Sequence, residues 1–287
     1  MNAAPLYLAA SMALVGSYVG LSKALVAVFP VFLLAGLRFA MAAVAMSPWT
    51  PKPDDEPTLN GRDRAWLFLG SFLGNFGFSI CMLFGVQATS ALSAGVVMAL
   101  IPAAVALGGA LVLGERLNAR IGAAILCAGA GIALLAFARG GEGGAAVSAW
   151  GYALLLGAVV CEAAYVVIGK RLGAKLGPKR ISALINLWGL VLMAPLALWQ
   201  ALDFAFGGVA FSDWALLLFY SMAASVVSVW LWMRGLQGVP ANQAGVFAVL
   251  IPVASAAVGV WVLGETATLL HGVALGLAVV GIVLATR

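Results

Sequence analysis

Long apolar runs alternate with short clusters of breakers and charges along this chain, and each run is about as long as a membrane is thick. Runs of roughly 20 apolar residues predict ten helical spans, at 5–27, 31–47, 65–87, 90–113, 118–138, 150–170, 181–202, 213–235, 240–263 and 268–286. The breakers between them are Pro30, residues 48–57, the glycines within 140–144, the pair Gly177 and Pro178, and Pro240. Residues 48–64, with four prolines and several charges, read as a solvated loop.

Within these spans one phrase occurs twice. Ala94-Gly95-Val96, Leu100-Ile101-Pro102 and Leu113-Gly114-Glu115 return as Ala244-Gly245-Val246, Leu250-Ile251-Pro252 and Leu263-Gly264-Glu265. The offset is 150 positions throughout, as it is from Gln87 to Gln237, Gly122 to Gly272 and Gly131 to Gly281. Tyr18, Val19 and Lys23 match Tyr165, Val166 and Lys170 at 147, so a small insertion or deletion separates the first and third spans of the two copies. The chain therefore divides into repeats at 1–139 and 140–287, each with five spans.

Composition turns the spans into a class. Hydrophobic residues make up 64% and charged residues 9%, and the mean hydropathy is +1.11. A soluble domain carries about 25% charged residues, so the expectation is an all-α integral membrane protein in contact with a lipid bilayer. The net charge of +5 falls in short loops beside the membrane and implies no nucleic-acid partner. Cys81, Cys127 and Cys161 lie in apolar segments without metal or disulfide spacing. No metal and no cofactor is expected. The N-terminal apolar run lacks a basic leader and continues as a full span, so it reads as the first helix and not as a cleaved signal.

Charge placement orients the spans. With the N-terminus cytoplasmic, the inner connectors and C-terminus hold Lys52, Arg62, Arg64, Arg116, Arg120, Lys170, Arg171, Lys175, Lys179, Arg180, Arg234 and Arg287. The outer side holds Lys23 and Arg139, and Arg38 lies inside a span. Both termini are then cytoplasmic. Five spans per repeat is an odd number, so the second repeat enters the membrane inverted, which is the architecture of many alternating-access transporters.

Few groups within the spans carry chemistry. Glu162, near the middle of the sixth span, is a candidate to titrate a proton or bind a substrate amine; a structural ion pair or hydrogen-bonded acid is the alternative. Tyr165 shares its face, and Tyr18 is the repeat counterpart of Tyr165. Ser71, Asn75, Ser79 and Met82 form one face of the third span. Ser225, in a stripe with Ser221, Ser228 and Trp232, is the counterpart of Asn75. Asn186 and Trp188 add polar and aromatic groups from the seventh span. Arg38 reads as a structural charge. Pro102 and Pro252 each remove a helical donor mid-span and are candidate hinges. Glu115 and Glu265, at span ends, suit capping, and His271 has no relay partner in the sequence.

These features together resemble the drug/metabolite transporter superfamily, in particular its EamA-type ten-helix exporters. Gly16-Ser17-Tyr18 leading to Lys23, Leu37-Arg38-Phe39, and the doubled Ala-Gly-Val, Ile-Pro and Leu-Gly-Glu phrases carry the resemblance. It is most similar to the bacterial amino-acid and metabolite exporters of the YddG type. Where the family often has Trp-Gly-Ser in the first span, this chain has Val15-Gly16-Ser17, so no aromatic substrate is implied. The resemblance implies two five-helix halves around a central cavity, with the fifth and tenth helices peripheral.

The function expected is secondary transport, exporting amino acids or similar small metabolites across a bacterial inner membrane by alternating access. Coupling to a proton or a counter-substrate is open, as is the oligomeric state. No phosphate loop for ATP is present. Broad drug efflux is an alternative; an organophosphate or nucleotide-sugar exchanger would need more intramembrane cations than Arg38 and Lys23. An enzyme is not expected, since one histidine rules out a His-Glu-x-x-His zinc site. A non-transporting scaffold remains as the reading from another class.

Overall fold

The computed structural model describes residues 4–54, 56–113, 145–172, 175–236 and 250–286, with scattered positions over 119–134 and at 247. Its helices are α1 (Ala4–Val28), α2 (Val31–Ala45), α3 (Gly61–Ser71), α4 (Phe78–Ala88), α5 (Ala91–Met98), α6 (Ile101–Leu113), α7 (Ala145–Leu172), α8 (Pro178–Leu202), α9 (Phe211–Met222), α10 (Ser228–Leu236), α11 (Leu250–Trp261) and α12 (Leu269–Thr286). Among the described residues, six helical spans are long and apolar enough to cross a membrane, and three shorter apolar helices accompany them. The span at 118–138 and the first half of that at 240–263 lie largely outside the described residues, as do Glu115, Arg139 and Ala244-Gly245-Val246.

The third and eighth spans are each interrupted by a π turn. Phe72–Gly77 joins α3 to α4, and the amide of Phe78 reaches back to the carbonyl of Leu73. Ala223–Val227 joins α9 to α10, with the Ser228 amide reaching Ala223. Adding 150 to the first interval gives 222–227, so the two wide turns match within one residue. A π turn rotates the helix beyond it and leaves backbone groups poorly paired, which is why such turns gather at functional sites. Asn75 and Ser225 sit in them.

The fourth span breaks at Ala99 and Leu100, between α5 and α6. Pro102 cannot donate, and its ring crowds the preceding turn. The amides just before it tighten, Leu100 bonding Val97 at 3.0 Å. Pro252 lies within α11; the segment before it is outside the described residues.

Small residues set the helix crossings, as expected where lipid supplies no hydrophobic drive. On α1, a β-carbon at Gly16 would stand 2.2 Å from the Ile251 carbonyl oxygen, and one at Gly20 2.8 Å from Val258. A β-carbon at Gly85 would meet Leu155 Cγ at 2.8 Å, and one at Gly235 would meet Leu8 Cγ at 2.5 Å. In the larger pattern, α1 packs on α10 and α11, while α7 packs on α4 and α6; α2 lies along α8.

The turn from α4 to α5 is clamped by three elements. Lys23 at the end of α1 donates to the carbonyls of Val86 (2.9 Å), Gln87 (2.9 Å) and Thr89 (2.6 Å). Glu265, just after α11, accepts from the amides of Ala91 (2.9 Å) and Leu92 (3.1 Å). Ser90 accepts from the Ser93 amide, so the first three donors of α5 are satisfied. The end of α11 meets the start of α5, and Ser255 lies opposite Gly95, so these two helices pack antiparallel.

At the opposite end the connector 48–64 is largely exposed, as a solvated loop should be, but it is tied down at two places. Asn60 and Asp63 form a reciprocal capping box that starts α3 at Gly61, four residues before the predicted 65. Arg180 Nε grips both carboxylate oxygens of Glu56 (2.8 and 3.1 Å), and its Nη1 donates to the Thr50 carbonyl. Lys175 pairs with Asp63 at 2.7 Å. An acidic connector thus meets the basic one at the same end of the bundle, and Glu56 keeps only 6% of its side chain exposed.

Candidate functional site

Four helices bring their rare polar groups together. Tyr18 comes from α1, Arg38 from α2, Glu162 and Tyr165 from α7, and Tyr220 from α9. Tyr18 meets Tyr220 edge-on, with ring centroids 5.8 Å apart and planes at 83°. Tyr18 is also within electrostatic range of Glu162, Arg38 and Tyr165. The ring of Tyr165 lies over the first π turn, where a β-carbon at Gly74 would come within 2.6 Å of it. Gly74 is therefore a close-approach glycine that seats a large aromatic.

Glu162 is surrounded by protein yet keeps part of its surface accessible. Among the described residues it has no hydrogen-bond or ion-pair partner.

Arg38 is 6% exposed. Its Nη2 donates to Ser79 Oγ at 2.7 Å. Its guanidinium carbon lies 4.3 Å from the centre of the Phe39 ring and 6.0 Å from that of Tyr220. Nε is buried without a partner. An arginine at mid-bilayer costs about 2.5–3.5 kcal/mol on insertion scales. One hydroxyl and two ring contacts offset part of that.

The predicted polar stripe is mostly occupied by the helix itself. Ser71 bonds the Leu67 carbonyl, Ser79 that of Asn75, Ser221 that of Leu217 and Ser228 that of Ala224. Backbone carbonyls one turn earlier are the nearest acceptors for a serine in a helix. Asn75 Nδ2 bonds the Ile185 carbonyl at 3.1 Å, and Asn186 Nδ2 bonds the Phe39 carbonyl at 3.0 Å. Both amides stitch helices, while Asn186 Oδ1 is sealed without a partner. Ser225 is half-buried in its π turn. Trp188 is 40% exposed, beside Phe68 at 5.3 Å. It shares an exposed stripe with Val191, Leu198 and Trp199 and has no described ring contact with the tyrosine group.

Pro252 backs the crossing of α5 and α11. A β-carbon at Gly95 would stand 2.8 Å from Ser255 and 3.4 Å from the Pro252 α-carbon. Ser255 Oγ closes the crossing on the Ala91 carbonyl at 2.8 Å. The repeated Ala-Gly-Val phrase thus supplies the glycine that its partner span needs. His271 is a local cap, its Nδ1 2.7 Å from Thr268 Oγ1.

Tyr220 is the site residue that sequence reasoning missed. It sits beside the serine stripe but off its period, and its repeat counterpart is Gly70, so neither signal marks it.

The chain is similar to known proteins along its length. A model of the EamA-like transporter family matches the chain twice, over residues 2–137 and 149–287. The uncharacterized transporter YetK of Bacillus subtilis (strain 168) is 31% identical over 277 residues, covering 96% of this chain and 84% of its own. A solved crystal structure, 20% identical, covers 99% of this chain and 95% of its own with a TM-score of 0.66.

Proposed function

This chain belongs to the EamA-like transporter family, whose members move small molecules across membranes, and we propose that it exports amino acids or similar small metabolites by alternating access. The observation that carries the proposal is Glu162: a partly accessible carboxyl group without a described partner, one turn from Tyr165 on α7 and within electrostatic range of Tyr18 of the other half of the chain. A carboxylate flanked by tyrosine rings suits an ammonium group, through ion pairing and ring contact.

The inverted five-plus-five repeat, divided at 1–139 and 140–287, is part of the proposal. Exchange of the halves maps α1 against α11 onto α7 against α6, and α4 against α7 onto α10 against α1. Gly85 on Leu155 maps onto Gly235 on Leu8, at offsets of 150 and 147. The paired π turns and the opposed directions of α5 and α11 support the same architecture. An inverted repeat has two mirror-related packings, which supplies inward-open and outward-open states. The break just before Pro102, and Pro252 at the matching position of the second copy, are the proposed hinges, and both termini lie on the cytoplasmic side of a bacterial inner membrane.

The test is flux of labelled amino acids in proteoliposomes holding the full chain. Wild type is expected to carry at least one, and Glu162→Gln to lose most of that flux and its dependence on pH while remaining folded. Normal flux with an unchanged pH profile in the Gln variant would remove Glu162 from the cycle. Flux of lipophilic cations alone would favour drug efflux.

A further inference from the structure

We propose that Arg38 is the carboxylate subsite of the transport cavity, so that the substrate is zwitterionic: its acid end on Arg38, its amine end on Glu162. The proposal rests on the amino-acid reading above and adds the residue that would select for the acid.

A buried guanidinium usually ends in a two-pronged contact with a carboxylate. Among the described residues Arg38 has no such partner. Its nitrogens differ in a telling way. Nη2 is held by Ser79 Oγ, Nε is sealed and unpaired, and Nη1 has neither a described partner nor a place among the sealed atoms. The group is therefore fixed at one corner and unsatisfied on the rest of its donor edge. Phe39 and Tyr220 hold its plane, which leaves little freedom to be lost on binding. A purely structural arginine would be expected to spend its donors on neighbouring carbonyls, as Lys23 does.

Glu162 is the complementary half. Its carboxylate is also unpaired, and it makes no salt bridge with Arg38. Both charges border the first π turn: Arg38 reaches Ser79 just beyond it, while Cys161 and Tyr165, on either side of Glu162 along α7, pack against Gly77 and Gly74 within it, and Tyr18 lies within electrostatic range of both. Two unpaired opposite charges beside one tyrosine form a receptor for a molecule bearing both charges. The substrate would neutralise each on entry, and a neutral carboxamide or an N-acylated acid would satisfy only one.

Binding to the full chain in detergent tests this, read as the shift in thermal unfolding with L-amino acids as probes. Each amino acid is compared with its amide and its N-acetyl derivative. Wild type is expected to prefer acid over amide by about tenfold or more. Arg38→Gln should lose that preference while still binding the amide. Arg38→Lys keeps the charge without the fork and should show a clearly reduced preference, which guards against a Gln variant that fails to fold. The ratio of acid to amide affinity is insensitive to the folded fraction. An unchanged ratio in both variants, or a wild type that binds amides as tightly as acids, would overturn the subsite and leave amino-acid transport standing. A wild type that answers to none of these probes would fail the amino-acid reading, and the subsite with it.

Discussion

Replacing Glu265 with alanine should open the start of α5 without unfolding the rest of the chain. Two backbone amides, Ala91 at 2.9 Å and Leu92 at 3.1 Å, take this carboxylate as their acceptor. A buried amide left without a partner costs about 1–3 kcal/mol, and loss of the anion at a helix N-terminus adds about 0.3–1 kcal/mol. Glu265 is half-buried, so water replaces some of what is lost. The net effect expected is about 2–4 kcal/mol on local opening, or roughly thirtyfold to a thousandfold in the opening equilibrium. Glutamine retains one carbonyl acceptor and loses the charge, so its effect should be smaller, about 1 kcal/mol.

The assay is hydrogen exchange measured by mass spectrometry, with peptides that cover the α4–α5 turn and α2 peptides as the internal control. Faster exchange confined to the turn is the expected result. Exchange at Ala91 and Leu92 that matches wild type in the alanine variant would refute the clamp. Equal acceleration in α2 would mean that the variant destabilises the whole fold and that the effect is not local.

Lys23→Met removes three carbonyl contacts at the end of α4 and should lower thermal stability by about 2 kcal/mol; Lys23→Arg should recover part of it, and a methionine variant as stable as wild type would refute the cap. Gly85→Val and Gly235→Val should each destabilise by about 1–3 kcal/mol through overpacking, with Leu155→Ala and Leu8→Ala as the respective rescues. Rescue in one half only would count against equivalent packing of the two copies.

Much of the scaffold was legible because the chain states it twice. Offsets of 150 and 147 can be read from letters alone, and they recur as the contacts of Gly85 with Leu155 and of Gly235 with Leu8. The apolar runs marked where helices lie, but their ends depended on less visible devices. Asn60 with Asp63 starts α3 inside what reads as loop, and Arg180 draws that loop onto α8. The π turns have no sequence signature in a single apolar run. The serines looked like a cavity stripe because polar side chains on one face suggest a common purpose; in a helix each can bond its own backbone instead.

The site was less legible for a reason that bears on mechanism. Two of the proposed groups lie where the two copies differ. Glu162 stands at the position of Val15 in the first copy, and Tyr220 at that of Gly70. Repeat symmetry therefore points away from these residues, toward positions such as Asn75 and Ser225 that match but serve packing or stay unpaired. A carrier built of two inverted copies needs symmetric crossings, because its two end states exchange the roles of the halves. It does not need two symmetric binding sets, and a second set would hold substrate in a second place. On the proposed reading, one Glu162, one Arg38 and a tyrosine group shared between halves would form a single substrate position open to opposite sides in the two states.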